Sequence, residues 1–106
     1  MPRFQCTPEL ADYLKKKNRS ILCLEVAQSN TSDIEIAEPY LRIINQEQAD
    51  YLKGKKRYRS CPLVIDEHME GAVLLAPYHL TMEDVVTFGR KKVFLFHFLT
   101  IDGVRL

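Results

Sequence analysis

Hydrophobic and polar positions near the start of the chain repeat with the period of a helix. Leu10, Tyr13 and Leu14 are spaced to lie on one helical face. Thr7 followed by Pro8 is typical of a helix N-cap with proline at the first helical position. We therefore predict an amphipathic helix over residues 8–17.

Beyond this helix the pattern changes to alternation, which predicts strands. Residues 21–27 and 33–37 both alternate, and the polar, turn-forming stretch 28–32 separates them. An antiparallel hairpin with a five-residue loop fits this pattern. A further strand is predicted at 40–44, and because Pro39 lacks an N–H group this strand either lies near a sheet edge or begins at the proline.

The middle of the chain predicts a short helix and a second pair of strands. Asn45, with Gln48 three residues later, is typical of a capping box, and Gly54 is suited to end the helix. Short apolar runs at 63–65 and 72–76 flank a charged turn. These runs predict two strands joined by that turn.

The C-terminal third is rich in β-branched and aromatic residues. Thr81 begins a sequence that fits a single capped turn, but Val85 and Val86 equally favour a strand, so both readings stay open. Residues 93–100 predict one continuous strand covered on both faces. The Asp-Gly pair at 102–103 predicts a tight type I′ hairpin turn.

Together these elements predict an α+β fold, with the N-terminal helix packed on a mostly antiparallel, curved sheet or small β-sandwich. A length of 106 residues is that of one small globular domain, which we assign to residues 1–106. The sequence contains no internal repeat and no interdomain linker.

The segment 4–14, FQCTPELADYL, resembles the opening of the HesB-like family of iron–sulfur assembly proteins. In that family a short strand enters a Thr-capped helix. The later succession of short strands, which closes with FLTIDGV at 98–104, is similar in outline to the family's compact β-rich fold. The resemblance implies a HesB-like fold for most of the chain.

The same resemblance does not carry the family's chemistry to this chain. Family members that carry clusters place one cysteine at the end of the first long strand and a Cys-x-Cys pair near the C-terminus. Here Ala-Gln-Ser occupies 27–29, and no cysteine follows Cys61. Iron–sulfur clusters need thiolate ligands brought together, so we expect no cluster and no other cofactor.

Charge and cysteine content narrow the classes of protein further. Fifteen basic and fourteen acidic residues give a net charge of +1, which provides no overall field toward nucleic acid or an anionic membrane. No apolar run reaches the ~18 residues of a membrane span, and the first five residues are not those of a signal peptide. We expect a cytoplasmic location and no membrane contact. Three cysteines without CxxC spacing predict reduced thiols and no metal site.

The densest charge feature lies between the second predicted helix and the strand that follows it. The candidate binding residues are Lys53, Lys55, Lys56, Arg57, Tyr58 and Arg59. Lys and Arg can neutralise phosphates while Tyr stacks on a base, and the arginines can hold phosphate or carboxylate groups bidentately. The alternative is a solvated loop whose charges pair with neighbouring carboxylates. Two further basic segments, 15–19 and 90–92, form a positive patch only if the fold brings them together.

Catalytic signals are weaker. His68 lies among carboxylates in the turn 66–70, but turns select charged residues for exposure alone. His97 is predicted to be partly buried within its strand. Cys61 follows Arg59 and is either activated by that charge or an inert core thiol like Cys23. The nucleophile motif G-x-S-x-G is absent, so we assign no catalytic residue.

These observations favour a non-enzymatic binding or adaptor domain that acts through a surface. Its candidate partners are another protein or a small anionic ligand. The alternative hypothesis is nucleic-acid or nucleotide binding through the segment 53–59. Metal or cluster handling by the histidines and cysteines is a third hypothesis. The sequence does not indicate an oligomeric state.

Overall fold

The computed structural model describes residues 2–31 and 34–105, which form two helices and seven strands. The helices are α1 (Pro8–Lys17) and α2 (Gln46–Lys55). The strands are β1 (Arg3–Cys6), β2 (Ile21–Thr31), β3 (Ile34–Ile44), β4 (Arg59–Val64), β5 (Glu70–Leu75), β6 (Thr81–Val93) and β7 (Phe96–Arg105).

All seven strands belong to one sheet, in the order β3-β2-β5-β4-β1-β6-β7. The outer strands β3 and β7 approach each other, so the curved sheet is nearly closed and is closer to a barrel than to a sandwich. The predicted α+β class with a helix against a curved sheet is confirmed. The predicted mostly antiparallel pairing describes the sheet in part, because the sheet is mixed and its three longest ladders, β2–β3, β4–β5 and β6–β7, are antiparallel. Strand β1 lies parallel to both β4 and β6, and β2 lies parallel to β5, so half of the strand pairs are parallel.

Helix α1 forms where the sequence predicts it. The Thr7 hydroxyl accepts a hydrogen bond from the Leu10 backbone N–H at 3.4 Å, and Pro8 occupies the first turn. Asn18 ends the helix in the left-handed conformation (φ 55°), in which its short polar side chain is tolerated. On the predicted apolar face Leu10 and Leu14 are fully buried, whereas Tyr13 is half-buried.

The two helices pack on opposite faces of the sheet. Alternation along β2 sends Leu22 and Leu24 to the main core with α1, whereas Cys23 points to the other face. There α2 contributes Ala49 and Leu52 to a smaller cluster. We call these the main core and the α2 cluster. The protein therefore has a concave face filled by α1 and a convex face covered in part by α2.

Strands β2 and β3 form the predicted antiparallel hairpin, but their arms are longer than predicted. Pairing continues to Thr31 opposite Ile34, so residues 28–31 are strand rather than loop, while Ser32 lies outside the described residues. The pairing of β3 continues without a break through Pro39, which pairs with Val26, so the strands predicted separately at 33–37 and 40–44 are one strand, and Asp33 lies outside the described residues. Because β3 is the first strand in the sheet order, the proline occupies an edge, as one of the two sequence alternatives stated.

The capping box of α2 is confirmed in both directions. The Asn45 side chain accepts from the Gln48 backbone N–H at 2.8 Å, and the Gln48 side chain accepts from the Asn45 backbone N–H at 2.9 Å. The helix continues past Gly54 and ends at Lys55, with Lys56 as its C-cap.

The second predicted strand pair is also present. Strands β4 and β5 are antiparallel neighbours, but β4 begins at Arg59 rather than Leu63. The basic segment therefore ends inside a strand. The open choice at Thr81 is decided in favour of a strand, because β6 starts at this residue.

The predicted continuous strand at 93–100 is wrong. Strand β6 ends at Val93, Phe94 and Leu95 form a turn, and β7 begins at Phe96. The expected cover on both faces is absent among the described residues, since Phe94 and Leu95 are each 88% exposed. His97, predicted to be partly buried, is exposed as well. The error is physical in origin: the turn uses two large apolar residues in place of the glycine or asparagine that signals a hairpin.

The predicted hairpin turn at Asp102 and Gly103 is wrong too. Both residues lie inside β7, where Gly103 has φ +94°. Gly103 lies between the pairs Met82–Val104 and Thr87–Asp102, so this one residue of β7 faces residues 83–86 of β6. The glycine signal therefore marks an irregularity in the β6–β7 ladder rather than a chain reversal.

Candidate functional site

The candidate segment 53–59 forms the corner between α2 and β4. Lys53 and Lys55 lie in the last turn of the helix, and Lys56 caps it. Arg57 follows in the left-handed conformation, Tyr58 is half-buried, and Arg59 is the first residue of β4. The five basic residues therefore form two groups, with the lysines at the end of α2 and the arginines on either side of Tyr58 at the start of β4.

Tyr58 fixes this corner to the body of the protein. Its ring packs against the α2 cluster, and burial, followed by the nearby Glu25 charge, raises the pKa of the Tyr58 hydroxyl to about 12. The Tyr58 backbone N–H donates to the Leu52 carbonyl at 3.1 Å, so the helix end is closed by the same residue. Tyr58 thus has a packing role besides the stacking role predicted for it.

Arg57 has an unusual backbone for its residue type. Its φ of 59° lies in the left-handed region, which costs a residue with a side chain about 1 kcal/mol or more. The conformation turns the chain from the helix end into β4, and Arg59 follows two residues later. Both arginine side chains reach the same depression on the surface.

That depression, which we call the arginine cleft, has a volume of about 430 Å³. It is lined by Pro2, Arg57, Arg59, Leu75, Ala76, Pro77, Tyr78, His79, Leu80 and Met82. Leu75 and Ala76 are buried and provide an apolar floor, while Tyr78 is half-exposed. Clefts of ~300–1,000 Å³ are the usual size for small-molecule sites.

The charge in the arginine cleft is not balanced locally. Within 2–31 and 34–105, neither Arg57 nor Arg59 forms an ion pair with a carboxylate, and no acidic residue lines the cleft. Lys53 differs, since its ammonium group lies 3.8 Å from Asp50. A solvated loop with paired charges therefore describes Lys53 but not the two arginines.

Sequence reasoning singled out the arginines but missed the residues opposite them. Tyr78 and His79 reach the cleft because the antiparallel β4–β5 ladder pairs Arg59 with Leu75, just before the chain turns. The predicted strands 63–65 and 72–76 did not reach Arg59, and the observed register pairs Leu63 with Gly71 in the predicted turn. No local signal in the sequence specifies that register.

A second group of polar side chains lies on β2 and β3, on the convex face of the sheet. The Glu25 carboxylate accepts hydrogen bonds from the Tyr40 hydroxyl, the Arg42 guanidinium and, at 3.1 Å, the Cys23 thiol. We call these four residues the Glu25 network. Burial acts to raise the pKa of Glu25, but the three donors and the Arg42 charge outweigh it and hold the pKa below its ordinary value.

The Glu25 network is a structural assembly rather than a reactive one. Its carboxylate already accepts from three side chains, so it has little capacity left to act as a base. Burial, with the nearby Glu25 second, raises the pKa of Cys23 to about 12, which agrees with the predicted inert core thiol. The predicted loop at 28–32 placed the chain reversal earlier than the structure does, so the sequence did not indicate which residues face each other. The observed register pairs Glu25 with Tyr40 and Cys23 with Arg42.

The other chemical candidates occupy structural positions. Asp66 pairs with Lys15 and accepts from the His68 backbone N–H at 2.8 Å, which is typical of an Asx-turn. No group of three metal-ligating side chains occurs in the described part of the chain. Cys61 is 3% exposed in the main core, so its sulfur is closed to solvent, as the inert alternative stated.

Two of the three basic segments meet in the fold. The Arg90 guanidinium lies 3.9 Å from the centre of the Tyr13 ring, and the Lys17 ammonium lies 5.8 Å from it. Lys16, Lys17 and Arg90 line a second cleft beside this ring, together with Glu9, Asp12 and His97. The segment 53–59 instead contributes to the arginine cleft, so the molecule has two separate basic surfaces.

Comparisons with protein-family profiles, curated proteins and solved structures found no match to this chain. The resemblance to the HesB-like family therefore stays a prediction that rests on segment 4–14 and on the strand succession. Among the described residues, neither helix has the length and apolar character needed to cross a membrane.

Proposed function

We propose that this protein is a non-enzymatic binding domain for a small anionic ligand held in the arginine cleft. The observation that carries the proposal is the pair Arg57 and Arg59, which line one cleft of about 430 Å³ without a carboxylate partner in the described chain. An unbalanced pair of guanidinium groups beside an apolar floor is a suitable receptor for an anion attached to an apolar or aromatic body.

The chemistry of the lining defines the ligand class. Each guanidinium presents a planar fork of donors that matches phosphate or carboxylate oxygens bidentately. Tyr78 is 50% exposed at the same cleft, and its ring can stack on a planar group. A nucleotide uses both features, because it combines a phosphate with a flat base. The proposed ligand is therefore a phosphate-bearing small molecule of nucleotide type.

The lining also supports binding rather than turnover. Among the described residues of the cleft there is no serine, threonine, cysteine or carboxylate, so no nucleophile stands beside a base. His79 is the single histidine among the lining residues. General acid–base catalysis pairs such a histidine with an orienting group, and the lining holds no carboxylate to serve as one.

Calorimetric titration with inorganic pyrophosphate and a nucleoside monophosphate tests the proposal. Arg57→Gln and Arg59→Gln are each expected to weaken binding about tenfold or more, because each removes charge-assisted hydrogen bonds to the anion. Lys55→Gln combined with Lys56→Gln is the matched control. It removes two charges from the same segment outside the cleft and is expected to change affinity little.

Two results count against the proposal. Absence of binding by the parent protein to both probes removes it directly. Equal loss in the lysine and arginine variants shows that the whole segment acts as a diffuse basic surface.

That second result favours the alternative of nucleic-acid binding through residues 53–59, which the exposed Lys55 and Lys56 support. Binding of a single-stranded oligonucleotide that weakens steeply with salt and is lost in the lysine variant is the expected mark of the alternative.

A further inference from the structure

The β6–β7 hairpin ends in a group of large apolar side chains. Its members, which we call the apolar tip, are Phe94 (88% exposed), Leu95 (88%), Phe96 (69%) and Phe98 (52%). Single exposed apolar residues are common on protein surfaces, but a contiguous group of this kind marks an interaction site.

The turn end of the tip projects beyond β1, whereas Phe98 lies beside β3 and lines a pocket with it. Strand β1 pairs with β6 only as far as Phe88, whereas β6 and β7 pair with each other up to Val93 and Phe96. Beyond Phe88, β1 therefore no longer pairs with β6. Its turn residues Phe94 and Leu95 stand at the outermost point of the arm.

The residue choice at the turn is costly, which argues that the tip is there for contact. Phe94 has φ 56°, in the left-handed region that hairpin turns usually assign to asparagine or glycine. A bulky residue in this region is strained, and here its ring gains no burial within the protein. Strain of this kind concentrates at functional sites.

Positive charge surrounds the tip. Arg90, Lys91 and Lys92, which we call the basic collar, immediately precede it, and the sequence has no acidic residue between Phe88 and Ile101. Lys16 and Lys17 of α1 line the cleft that Arg90 enters. Glu9 and Asp12 line that cleft too, but the basic residues of the cleft and collar outnumber them.

We propose that the apolar tip docks on the surface of an anionic lipid bilayer. The side chains of the tip enter the boundary between headgroups and acyl chains, while the basic collar contacts lipid phosphates. Apolar burial and attraction to anionic lipids are the two terms that hold peripheral proteins at membranes. The site is separate from the arginine cleft, so this role goes beyond the proposed ligand binding.

A bilayer fits these features better than other occupants. Tip-to-tip contact between two copies brings two basic collars together, and neither copy has an acidic residue between Phe88 and Ile101 to balance them, so the contact is repulsive. Nucleic acid suits a flat stacking platform, whereas Phe96 and Phe98 are tilted by 36° and the outermost position holds Leu95. The expectation of no membrane contact rested on the absence of a long apolar run and on the low net charge. The tip nevertheless supplies apolar side chains for burial in a bilayer, and the collar supplies local positive charge.

Co-sedimentation of the full chain with lipid vesicles tests this proposal. The protein is expected to pellet with vesicles of phosphatidylcholine mixed with phosphatidylglycerol and to stay in solution with phosphatidylcholine alone. Phe94→Ser with Leu95→Ser is expected to lower the partition coefficient at least about tenfold. Tyr51→Ser is the matched control, since Tyr51 is a similarly exposed aromatic residue (55%) on α2.

The charge term is tested separately. Lys91→Gln with Lys92→Gln is expected to weaken partition into the anionic vesicles about tenfold or more, and added salt is expected to do the same. Equal binding to neutral and anionic vesicles overturns the proposal, as does absence of binding to both.

Two further outcomes overturn it in favour of other occupants. If the protein does not bind vesicles but forms concentration-dependent dimers, and the tip variant (Phe94→Ser with Leu95→Ser) does not form them, the occupant is a second copy of the chain. Oligonucleotide binding that the tip variant abolishes, without vesicle binding, identifies nucleic acid. Circular dichroism and the thermal midpoint of each variant establish that the substitutions leave the fold intact.

Discussion

Glu25 carries the most constrained charge in the described chain. It sits on β2 with its side chain 13% exposed and accepts from residues on β2 and β3. A carboxylate in such a position is stable in its charged form only because donors replace the lost water. The Glu25 network therefore couples the β2–β3 hairpin to the protonation state of one residue.

Replacement of Glu25 by glutamine is expected to lower the free energy of unfolding at neutral pH by about 2 kcal/mol, because it weakens charge-assisted hydrogen bonds. The folded-state pKa of Glu25 lies below its ordinary value, so the stability it adds is present above that value and is lost as pH falls through the folded-state pKa. The difference between parent and variant is expected to be constant near neutrality and to shrink below about pH 4.5. Urea denaturation at a series of pH values measures it.

Glu38→Gln is the control for this prediction, since Glu38 is an exposed acidic residue on the same hairpin. It should alter stability little at any pH. If the difference in free energy of unfolding between the parent and Glu25→Gln stays the same down to pH 3, the shape of the side chain rather than its charge stabilises the hairpin.

Among the elements, the β6–β7 ladder has an irregularity that requires glycine at position 103. A Cβ atom at Gly103 would lie 2.7 Å from the Val85 carbonyl oxygen, and the φ of +94° is strained for any other residue. Gly54 offers the opposite case, because a Cβ atom there meets nothing within 4 Å.

Alanine substitutions at these two glycines are expected to have opposite signs. Gly103→Ala should reduce the free energy of unfolding by roughly 1–3 kcal/mol through strain and backbone overlap. Gly54→Ala should increase it by about 0.5–1 kcal/mol, because alanine favours the helix. Chemical denaturation of both variants measures the pair. A Gly103→Ala variant as stable as the parent protein would refute the ladder geometry assigned to Gly103.

The same elements show why sequence reasoning succeeded in some places and failed in others. The helices and their caps depend on residues three or four positions apart, so Thr7 and Asn45 were sufficient to predict them. The turn at Phe94 and Leu95 carries no local signal, and the Asp-Gly pair carries a misleading one. Glycine at 103 does adopt positive φ, but the long-range contact with β6 decides what that conformation is used for.

The candidate site divides in the same way. The basic residues at 57 and 59 are visible in the sequence, because charge density is a local property. Their meeting with Tyr78 and His79 is not, since it depends on how far the β4–β5 ladder extends. The parallel pairing of β1 with β4 and β6 is similarly non-local, and four residues are too few to show alternation.

At the scale of the whole molecule, a net charge of +1 conceals two separate basic surfaces. One is the arginine cleft, next to the end of β5 and the start of β6. The other combines the end of α1 with the basic collar and leads to the apolar tip. Under the two proposals, the cleft binds the small ligand and the hairpin contacts the bilayer, so variants in one surface are expected to leave the other function intact.

A titration of the ¹⁵N-labelled protein with pyrophosphate, followed by amide chemical shifts, locates the bound anion directly. We expect the signals of residues 57–59 and 75–82 to move and saturate together, while those of 90–98 stay in place. Movement confined to 53–56, or spread equally over all the basic segments, would contradict the assignment of ligand binding to the arginine cleft.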